Sequence, residues 1–222
     1  MNKIILIFFG PPGSGKGTQV ELLLQKTNWH ELSIGSLLRH EIEKASKVGK
    51  LANKYIKDGK LVPDEVIKKI LEKFLKKEVG TKNLVLDGYP RDQQQQSDLI
   101  KMLLKSIKSG TQIYAIEISL SDKEVKERLC GRYACYCGEV FHLKYNPPKK
   151  PGICDNCGKK LFIRTDDKPK IIATRLKIYH KEIGLLLDYW RKAGKLIKIN
   201  GEQSINKVFK DLVSQLKKNK LL

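Results

Sequence analysis

The stretch Gly10-Pro11-Pro12-Gly13-Ser14-Gly15-Lys16-Gly17-Thr18 lies between an apolar run, Lys3–Phe9, and a helical pattern. Its glycines allow successive backbone N–H groups to turn inward without a Cβ clash, and a helix N-terminus adds partial positive charge. Lys16 is long enough to reach the outer phosphates of a nucleotide. The stretch therefore predicts a phosphate-binding loop between the first strand and the first helix of an α/β domain.

One residue of this loop departs from the most common pattern. Gly17 follows the lysine, where most nucleoside triphosphatases with such a loop have Ser or Thr. A magnesium-binding hydroxyl would then come from Thr18, or water would take its place. This departure favours a small-molecule kinase over a switch GTPase.

Strand-like and helical segments alternate along the chain, which predicts a parallel sheet with right-handed crossovers. The predicted strands are Lys3–Phe9, Leu84–Asp87, Ile113–Ser119 and Leu196–Asn200. The predicted helices are Thr18–Lys26, Asp64–Lys77, Arg91–Lys108, Ser121–Cys130, Pro169–Ala193 and Ser204–Lys218. Two segments break the alternation and are predicted to be insertions: residues 33–62, which have helical pieces, and residues 132–167, which are rich in Cys, Gly, Pro and Tyr. Residues 1–32, 63–131 and 168–222 form the predicted core domain.

A second polar motif, Asp87-Gly88-Tyr89-Pro90-Arg91, begins at the end of a predicted strand. Ligands of open α/β sheets bind at the carboxyl ends of the strands. At that edge Asp87 can hold magnesium or its bound water, and Arg91 can grip a phosphate. The motif therefore predicts a second part of the nucleotide site.

The motifs contain no suitable base for activating a hydroxyl or a water. The four histidines, His30, His40, His142 and His180, lie outside them. An acceptor that is itself a phosphate is already ionised near neutral pH and needs no base. It does need cations that offset the repulsion between two polyphosphates. Six of the seven arginines lie in or beside the motifs, which favours transfer of a phosphoryl group to another phosphate.

The net charge of +20 raises the question of nucleic acid or anionic membrane as a partner. However, 37 of the 44 basic residues are lysines, scattered over the polar sides of predicted helices, whereas phosphate-backbone readers usually use arginine. We therefore interpret the lysines as a solvated surface and expect neither a specific nucleic acid nor a membrane as a partner. The longest apolar run, Ile4–Phe9, is far shorter than the roughly 20 residues of a membrane span. We expect a cytoplasmic protein.

Four of the five cysteines form two pairs in the second insertion, Cys135-x-Cys137 and Cys154-x-x-Cys157. In a reducing compartment such spacing is typical of a structural zinc ion held by four thiolates. The first pair is one residue shorter than the usual Cys-x-x-Cys. Unmetallated thiols are therefore the alternative, and Asp155 is a weak substitute ligand. Because the insertion has few apolar residues, a metal would supply much of its folding energy.

Taken in order, these motifs resemble those of the adenylate kinase family over nearly the whole chain. The matching segments are Gly10–Thr18, Gly35–Arg39, Asp58–Val62, Asp87–Arg91, Gln95, Gly131–Arg132, Tyr145–Lys149, Arg164–Asp167 and Arg175. The resemblance implies a five-stranded parallel sheet flanked by helices, a helical insertion that binds AMP and a zinc-bearing lid. It also implies a monomer that transfers a phosphoryl group reversibly from magnesium-bound ATP to AMP, giving two ADP.

The resemblance further implies roles for individual residues. The catalytic residues would be Lys16, Asp87, Arg91, Arg132, Arg164 and Arg175. ATP would contact Gly13, Ser14, Gly15, Lys16, Gly17, Thr18, Arg128, Arg132, Val140, Phe141 and Gln203. AMP would contact Ile34, Arg39, Lys60, Leu61, Val62, Gly88, Tyr89, Pro90, Arg91, Gln95, Arg164 and Arg175.

Two residues depart from the family pattern: Ile34 stands where a Thr is usual, and Ser36 where an Asp is usual. Loss of a hydroxyl hydrogen bond would cost about 1 kcal/mol, so we expect weaker or less selective AMP binding. Another nucleoside monophosphate as acceptor, or GTP as donor, is the nearest alternative function. A zinc-ribbon nucleic-acid-binding protein is a more distant one.

Overall fold

The computed structural model describes residues 3–78, 82–106 and 110–222. Its strands are β1 (Ile4–Phe9), β2 (His30–Ser33), β3 (Leu84–Asp87), β4 (Gln112–Ser119), β5 (Arg132–Ala134), β6 (Val140–His142) and β7 (Leu196–Asn200). Five of them form one parallel sheet in the order β2-β3-β1-β4-β7, and β5 and β6 form a separate antiparallel pair. The predicted parallel five-stranded sheet is confirmed.

Eight α-helices lie in the described part of the chain. They are α1 (Lys16–Gln25), α2 (Ile34–Glu43), α3 (Lys47–Ile56), α4 (Asp64–Glu78), α5 (Gln93–Ser106), α6 (Asp122–Cys130), α7 (Pro169–Lys192) and α8 (Ile205–Lys218). The helix predicted over Arg91–Lys108 begins at Gln93, and its predicted end at Lys108 lies outside the described residues. None of the described helices combines the length and the apolar character that a membrane span requires.

Helices cover both faces of the sheet, which is why its strands are apolar on both sides. On one face, alternate residues of β1 such as Ile5 and Ile7 pack with α4, α5 and α7. On the other face, Leu6 and Phe8 pack with α1 and α8. The carboxyl ends of β1, β2 and β3 meet at one edge of the sheet, because the register pairs Phe8 with Asp87 and Asp87 with Ser33.

The edge strand β2 was not among the predicted strands. Its sequence, His30-Glu31-Leu32-Ser33, is short and polar, and within it only Leu32 is fully buried. A single neighbour, β3, pairs with it, so its hydrophobic signal is weak. The predicted boundary of the first insertion at residue 33 therefore falls on Ser33, which pairs within the sheet, and α2 begins one residue later.

The helices α2 and α3 pack at very short distance through Gly49 of α3. A Cβ atom at Gly49 would overlap the backbone carbonyl oxygen of Glu41 in α2. The turn between the helices is held by Ser46, whose hydroxyl donates to Glu41 Oε2 at 2.5 Å and accepts from the Gly49 N–H at 2.9 Å. Gly49 is thus required for packing, although glycine is a poor helix former.

We expect Gly49→Ala to destabilise the protein, because backbone atoms of α2 cannot move away cheaply. Gly184→Ala is the matched control in α7, where an added Cβ would meet no atom within 4 Å. On helix propensity alone each change should stabilise by about 0.5–1 kcal/mol. Thermal unfolding should show a raised melting temperature for Gly184→Ala and a lowered one for Gly49→Ala. Equal shifts in the two variants would contradict the close packing of α2 and α3.

Candidate functional site

The phosphate loop has the backbone conformation that its glycines predict. Gly13 and Gly15 have φ angles of 77° and 87°, in the left-handed region that favours glycine. The Lys16 ammonium group donates to the carbonyl oxygens of Gly10 and Pro11 at 2.8 and 3.0 Å, and to Ser14 Oγ at 3.3 Å. These contacts hold the cation inside the loop, at the N-terminus of α1.

Asp87 lies at the same edge of the sheet as the loop. Its Oδ2 accepts a hydrogen bond from Ser33 Oγ at 3.4 Å. Its Oδ1 is buried and has no hydrogen-bond partner among the described residues. A carboxylate oxygen in this state is suited to a cation or to a cation's bound water.

A cleft of about 640 Å³, open to solvent, lies between the sheet edge, α2 and the segment between α3 and α4. Ten of the twelve residues predicted to contact AMP line it: Ile34, Arg39, Lys60, Leu61, Val62, Gly88, Tyr89, Arg91, Gln95 and Arg175. Pro90 and Arg164 are not among its lining residues. Both cationic groups and apolar side chains such as Val62 and Ile67 line the cleft, a combination that suits a phosphate joined to a base.

Five arginines surround this cleft and the phosphate loop. Arg91, Arg132 and Arg175 lie close enough to Lys16 for their charges to act on it, and Arg39 and Arg164 interact electrostatically with Arg132. The structure thus brings the cations predicted for catalysis into one group. Arg164 carries an unusual feature, since its Nε is buried without a hydrogen-bond partner among the described residues.

Burial and mutual repulsion disfavour the charges of this group. Burial lowers the pKa of Lys16 to about 8, a change that Asp87 opposes and that Arg91 and Arg175 reinforce. Burial, and then the positive charges of Arg132 and Arg39, lower the pKa of Arg164 to about 9. The pKa of Arg175 is lowered first by burial. Each cation would therefore be stabilised by an incoming anion.

Two acidic residues of the segment Arg164–Asp167, to which the sequence analysis gave no individual role, hold part of this group in place. The Asp167 side chain is fully buried and accepts two hydrogen bonds from Arg132, at 2.8 and 2.5 Å. Arg175 donates to Asp167 Oδ1 at 3.2 Å and pairs with Asp166 at 2.9 Å. The sequence places the carboxylates of Asp166 and Asp167 next to Arg164, which indicates a role in the site. Their partners, Arg132 and Arg175, lie elsewhere in the sequence, so no local pattern links them.

The side chains predicted to contact the ATP base have different surroundings from one another. Arg128 donates to Glu124 at 2.8 Å and to the Gly201 carbonyl at 2.9 Å, and its guanidinium lies 5.2 Å from the centre of the Tyr145 ring. Gln203 donates to Asn200 and Asp211, and Val140 is exposed. The Phe141 ring, in contrast, is buried against Cys135 and Cys154, so its side chain belongs to the interior of the insertion.

The four predicted metal ligands converge. The sulfur atoms of Cys135, Cys137, Cys154 and Cys157 all lie within 4.8 Å of one another. Four thiolates on a tetrahedral zinc ion at about 2.3 Å would be about 3.8 Å apart, so the cluster fits zinc. The short Cys135-x-Cys137 turn closes through a hydrogen bond from the Gly138 N–H to the Cys135 carbonyl at 3.1 Å. Asp155, the substitute ligand, instead accepts from the Lys149 N–H at 2.9 Å.

Glu31 on β2 gives a pH-dependent prediction. Burial, followed by repulsion from Asp87 and Glu21, raises the pKa of Glu31 from 4.5 to about 7. The folded protein thus keeps a proton that the unfolded chain releases at lower pH, and stability falls as the pH rises from about 4.5 to about 7. We expect Glu31→Gln to raise the melting temperature by a few degrees at about pH 8 in magnesium-free buffer, and far less at about pH 5. Glu65→Gln, on the exposed side of α4, is the control; an equal effect of Glu31→Gln at both pH values would contradict this account.

Comparison with known proteins agrees with the geometry. The adenylate kinase family model matches residues 8–195. An adenylate kinase from Methanothrix thermoacetophila is 40% identical over 213 residues, covering 96% of this chain and 98% of that protein. Adenylate kinases from Methanosarcina barkeri and Caldanaerobacter subterraneus subsp. tengcongensis are 38% and 39% identical over 213 and 212 residues, covering 96% and 95% of this chain and 98% and 95% of their own. The match covers nearly the full length, and the chain belongs to the adenylate kinase family of enzymes.

Proposed function

We propose that this chain catalyses the reversible transfer of the terminal phosphoryl group of ATP to AMP, giving two molecules of ADP. The single observation that carries the proposal is that Lys16 and five arginines form one electrostatically coupled group, of which Arg39, Arg91 and Arg175 line the cleft. Two polyphosphates repel each other strongly, and charge develops on the moving group in the transition state. A set of fixed cations offsets both effects, provided that it faces both nucleotides.

On this proposal the two nucleotides use different parts of the site. The backbone N–H groups of Gly13–Thr18 and the Lys16 ammonium group bind the outer phosphates of ATP. Arg39 and Arg91 bind the phosphate of AMP, and its base packs against the apolar side chains of the cleft. Arg132, Arg164 and Arg175 then lie beside the transferred group. Arg128, Val140, Phe141 and Gln203 remain candidates for the ATP base, with Phe141 contributing through its backbone.

The reaction needs no proton acceptor, because the attacking oxygen of AMP is already ionised near neutral pH. None of the four histidines lines the cleft. His40 and His180 lie beside Glu43 and Asp122, and His142 Nδ1 accepts from the backbone N–H groups of Lys144 and Tyr145. The chain therefore acts by binding, orienting and neutralising charge.

Magnesium bound with ATP fits Asp87. The unpartnered Oδ1 of Asp87 lies near the phosphate loop, and Asp87 acts electrostatically on Lys16. When bound, the ion would neutralise phosphate charge that the arginines do not reach. Thr18 is the nearest hydroxyl after the lysine in the loop sequence, and it is the second candidate ligand.

The chain is proposed to act as three parts: a core (1–32, 63–131 and 168–222), an AMP-binding insertion (33–62) and a lid (132–167). Arg39 belongs to the first insertion, and Arg132 and Arg164 belong to the lid. Closure of both insertions would bring these cations to the phosphates and exclude water, which limits hydrolysis of ATP. We further propose that the protein is a cytoplasmic monomer without a nucleic-acid partner.

The acceptor is identified by a coupled assay for diphosphate formation with ATP and AMP, GMP, CMP or UMP. We expect AMP to be used fastest. Ile34 is buried at the cleft wall and Ser36 contacts Arg39 at 3.2 Å, so neither residue provides the usual polar group for AMP. A much faster reaction with CMP or UMP would show that the acceptor is misassigned.

Arg91→Lys tests the clamp of cations. A lysine cannot give the planar, two-pronged contact of a guanidinium, so we expect kcat/KM to fall on the order of a hundredfold. Arg191→Lys, at an exposed arginine that pairs with Asp188 on α7, is the matched control and should retain full activity. Equal activity of the two variants would contradict the proposed role of Arg91.

The lid is proposed to hold one structural zinc ion. We expect elemental analysis to find one zinc per chain, and chelation to lower the melting temperature by several degrees because the thiolate cluster would lose its cation. Cys154→Ser should lose the metal, whereas Cys130→Ser, on an exposed cysteine outside the cluster, should keep it. A protein that contains no zinc and melts identically with and without chelator would refute the site.

A further inference from the structure

Gln95 is the one residue of its glutamine run that faces the cleft. Gln93 and Gln94 are exposed, and Gln96 is buried with its Oε1 accepting from Trp190 Nε1 at 2.9 Å. Gln95 is 3% exposed and lines the cleft beside Leu61 and Val62. It therefore offers a polar amide to a cleft that also has apolar side chains suited to a base.

Both ends of this amide are already engaged by groups that cannot exchange roles. The Nε2 group donates to Asp64 Oδ1 at 2.7 Å, and Oε1 accepts from the backbone N–H of Arg91 at 2.9 Å. A carboxylate can only accept and a backbone N–H can only donate. The orientation of the amide is thus set by chemistry, since a flipped amide would face two mismatched contacts.

The backbone of Gln95 is fixed as well. Its N–H donates to Asp92 Oδ1 at 2.8 Å, and its carbonyl accepts from the Tyr89 hydroxyl at 3.1 Å. Because its main chain and its amide are both held, Gln95 presents hydrogen-bond donors and acceptors to the cleft in a fixed arrangement. A primary amide has two N–H donors and two acceptor lone pairs, so one donor and one acceptor remain for a ligand.

The order of this donor and acceptor decides which purine fits. Adenine presents an acceptor at N1 next to a donor at N6, whereas hypoxanthine and guanine present a donor at N1–H next to an acceptor at O6. A given amide orientation pairs with one order, and its flipped form pairs with the other. A residue that fixes the amide therefore fixes the choice between these bases.

We propose that Asp64 is a positioning residue that sets the orientation of the Gln95 amide and so selects adenine over 6-oxopurines. The inference rests on the proposed use of AMP as acceptor. Asp64 is not among the residues that line the cleft, so it acts through Gln95 and not by contact with the ligand. Without the Asp64 carboxylate, a flipped amide would make one mismatched hydrogen-bond contact, at the Arg91 N–H, instead of two.

The test compares AMP with inosine monophosphate, because the two differ only at N1 and the 6-position of the base. We expect Asp64→Ala to lower the AMP-to-IMP ratio of kcat/KM on the order of tenfold, mainly through KM for AMP. Asp64→Asn keeps the size of the side chain, but its amide can either accept or donate, so it should lower the ratio as well. Gln95→Ala removes the amide and so gives the reference value of the AMP-to-IMP ratio when the base is not recognised by Gln95. Glu65→Ala, in the same helical turn, is the control and should leave the ratio unchanged.

The outcomes separate the inference from the proposed function. If the parent protein forms no ADP from ATP and AMP, the function fails and this inference with it. If AMP is phosphorylated but Asp64→Ala or Asp64→Asn keeps the parent ratio, only the role of Asp64 is overturned. Circular dichroism checks folding of each variant. Asp64→Ser, which suits a helix start but is too short to reach Gln95, replaces Asp64→Ala if that variant does not fold.

Discussion

Repulsion among the cations grouped around the cleft and the phosphate loop is the constraint on which the rest of the structure depends. Lys16 and five arginines act on one another there, and the carboxylates of Asp87, Asp166 and Asp167 offset only part of their charge. Like charges held together with little water are costly unless anions join them. Burial, reinforced by this surplus, lowers the pKa of Lys16 and that of Arg164. The surplus makes the site suited to highly charged anions.

Groups of the protein itself hold several of these cations in place. Lys16 rests on carbonyl oxygens of its own loop, which a phosphate would replace as a partner. Asp167 joins Arg132, at the start of the predicted lid, to Arg175 on α7, in the predicted core. A buried carboxylate that binds two guanidiniums fixes their geometry in advance, so less orientation is lost when substrates bind. The same logic holds at Gln95, whose amide is held by Asp64 and the Arg91 N–H.

Local signals in the sequence were sufficient for much of this structure. The loop Gly10–Thr18, the strand ending at Asp87 and the four cysteines each carry their chemistry within a few residues. The edge strand β2 was missed because a strand with one leucine among three polar residues, and with one neighbouring strand, shows little hydrophobic pattern. The roles of Asp64 and Asp167 were missed for a different reason: their partners lie 31 and 35 residues away, and no local pattern links them. Phe141 was expected at a base, but packing around the cysteines turned its ring inward.

The most direct test of a shared site for two nucleotides is the binding of one molecule in which two adenosines are joined by a chain of phosphates. Isothermal titration calorimetry would compare its affinity with those of ATP and AMP alone. A cleft that neutralises both nucleotides at once predicts one such molecule per chain, bound on the order of a hundredfold tighter than ATP. Binding no tighter than that of ATP, or at two independent sites, would contradict the account.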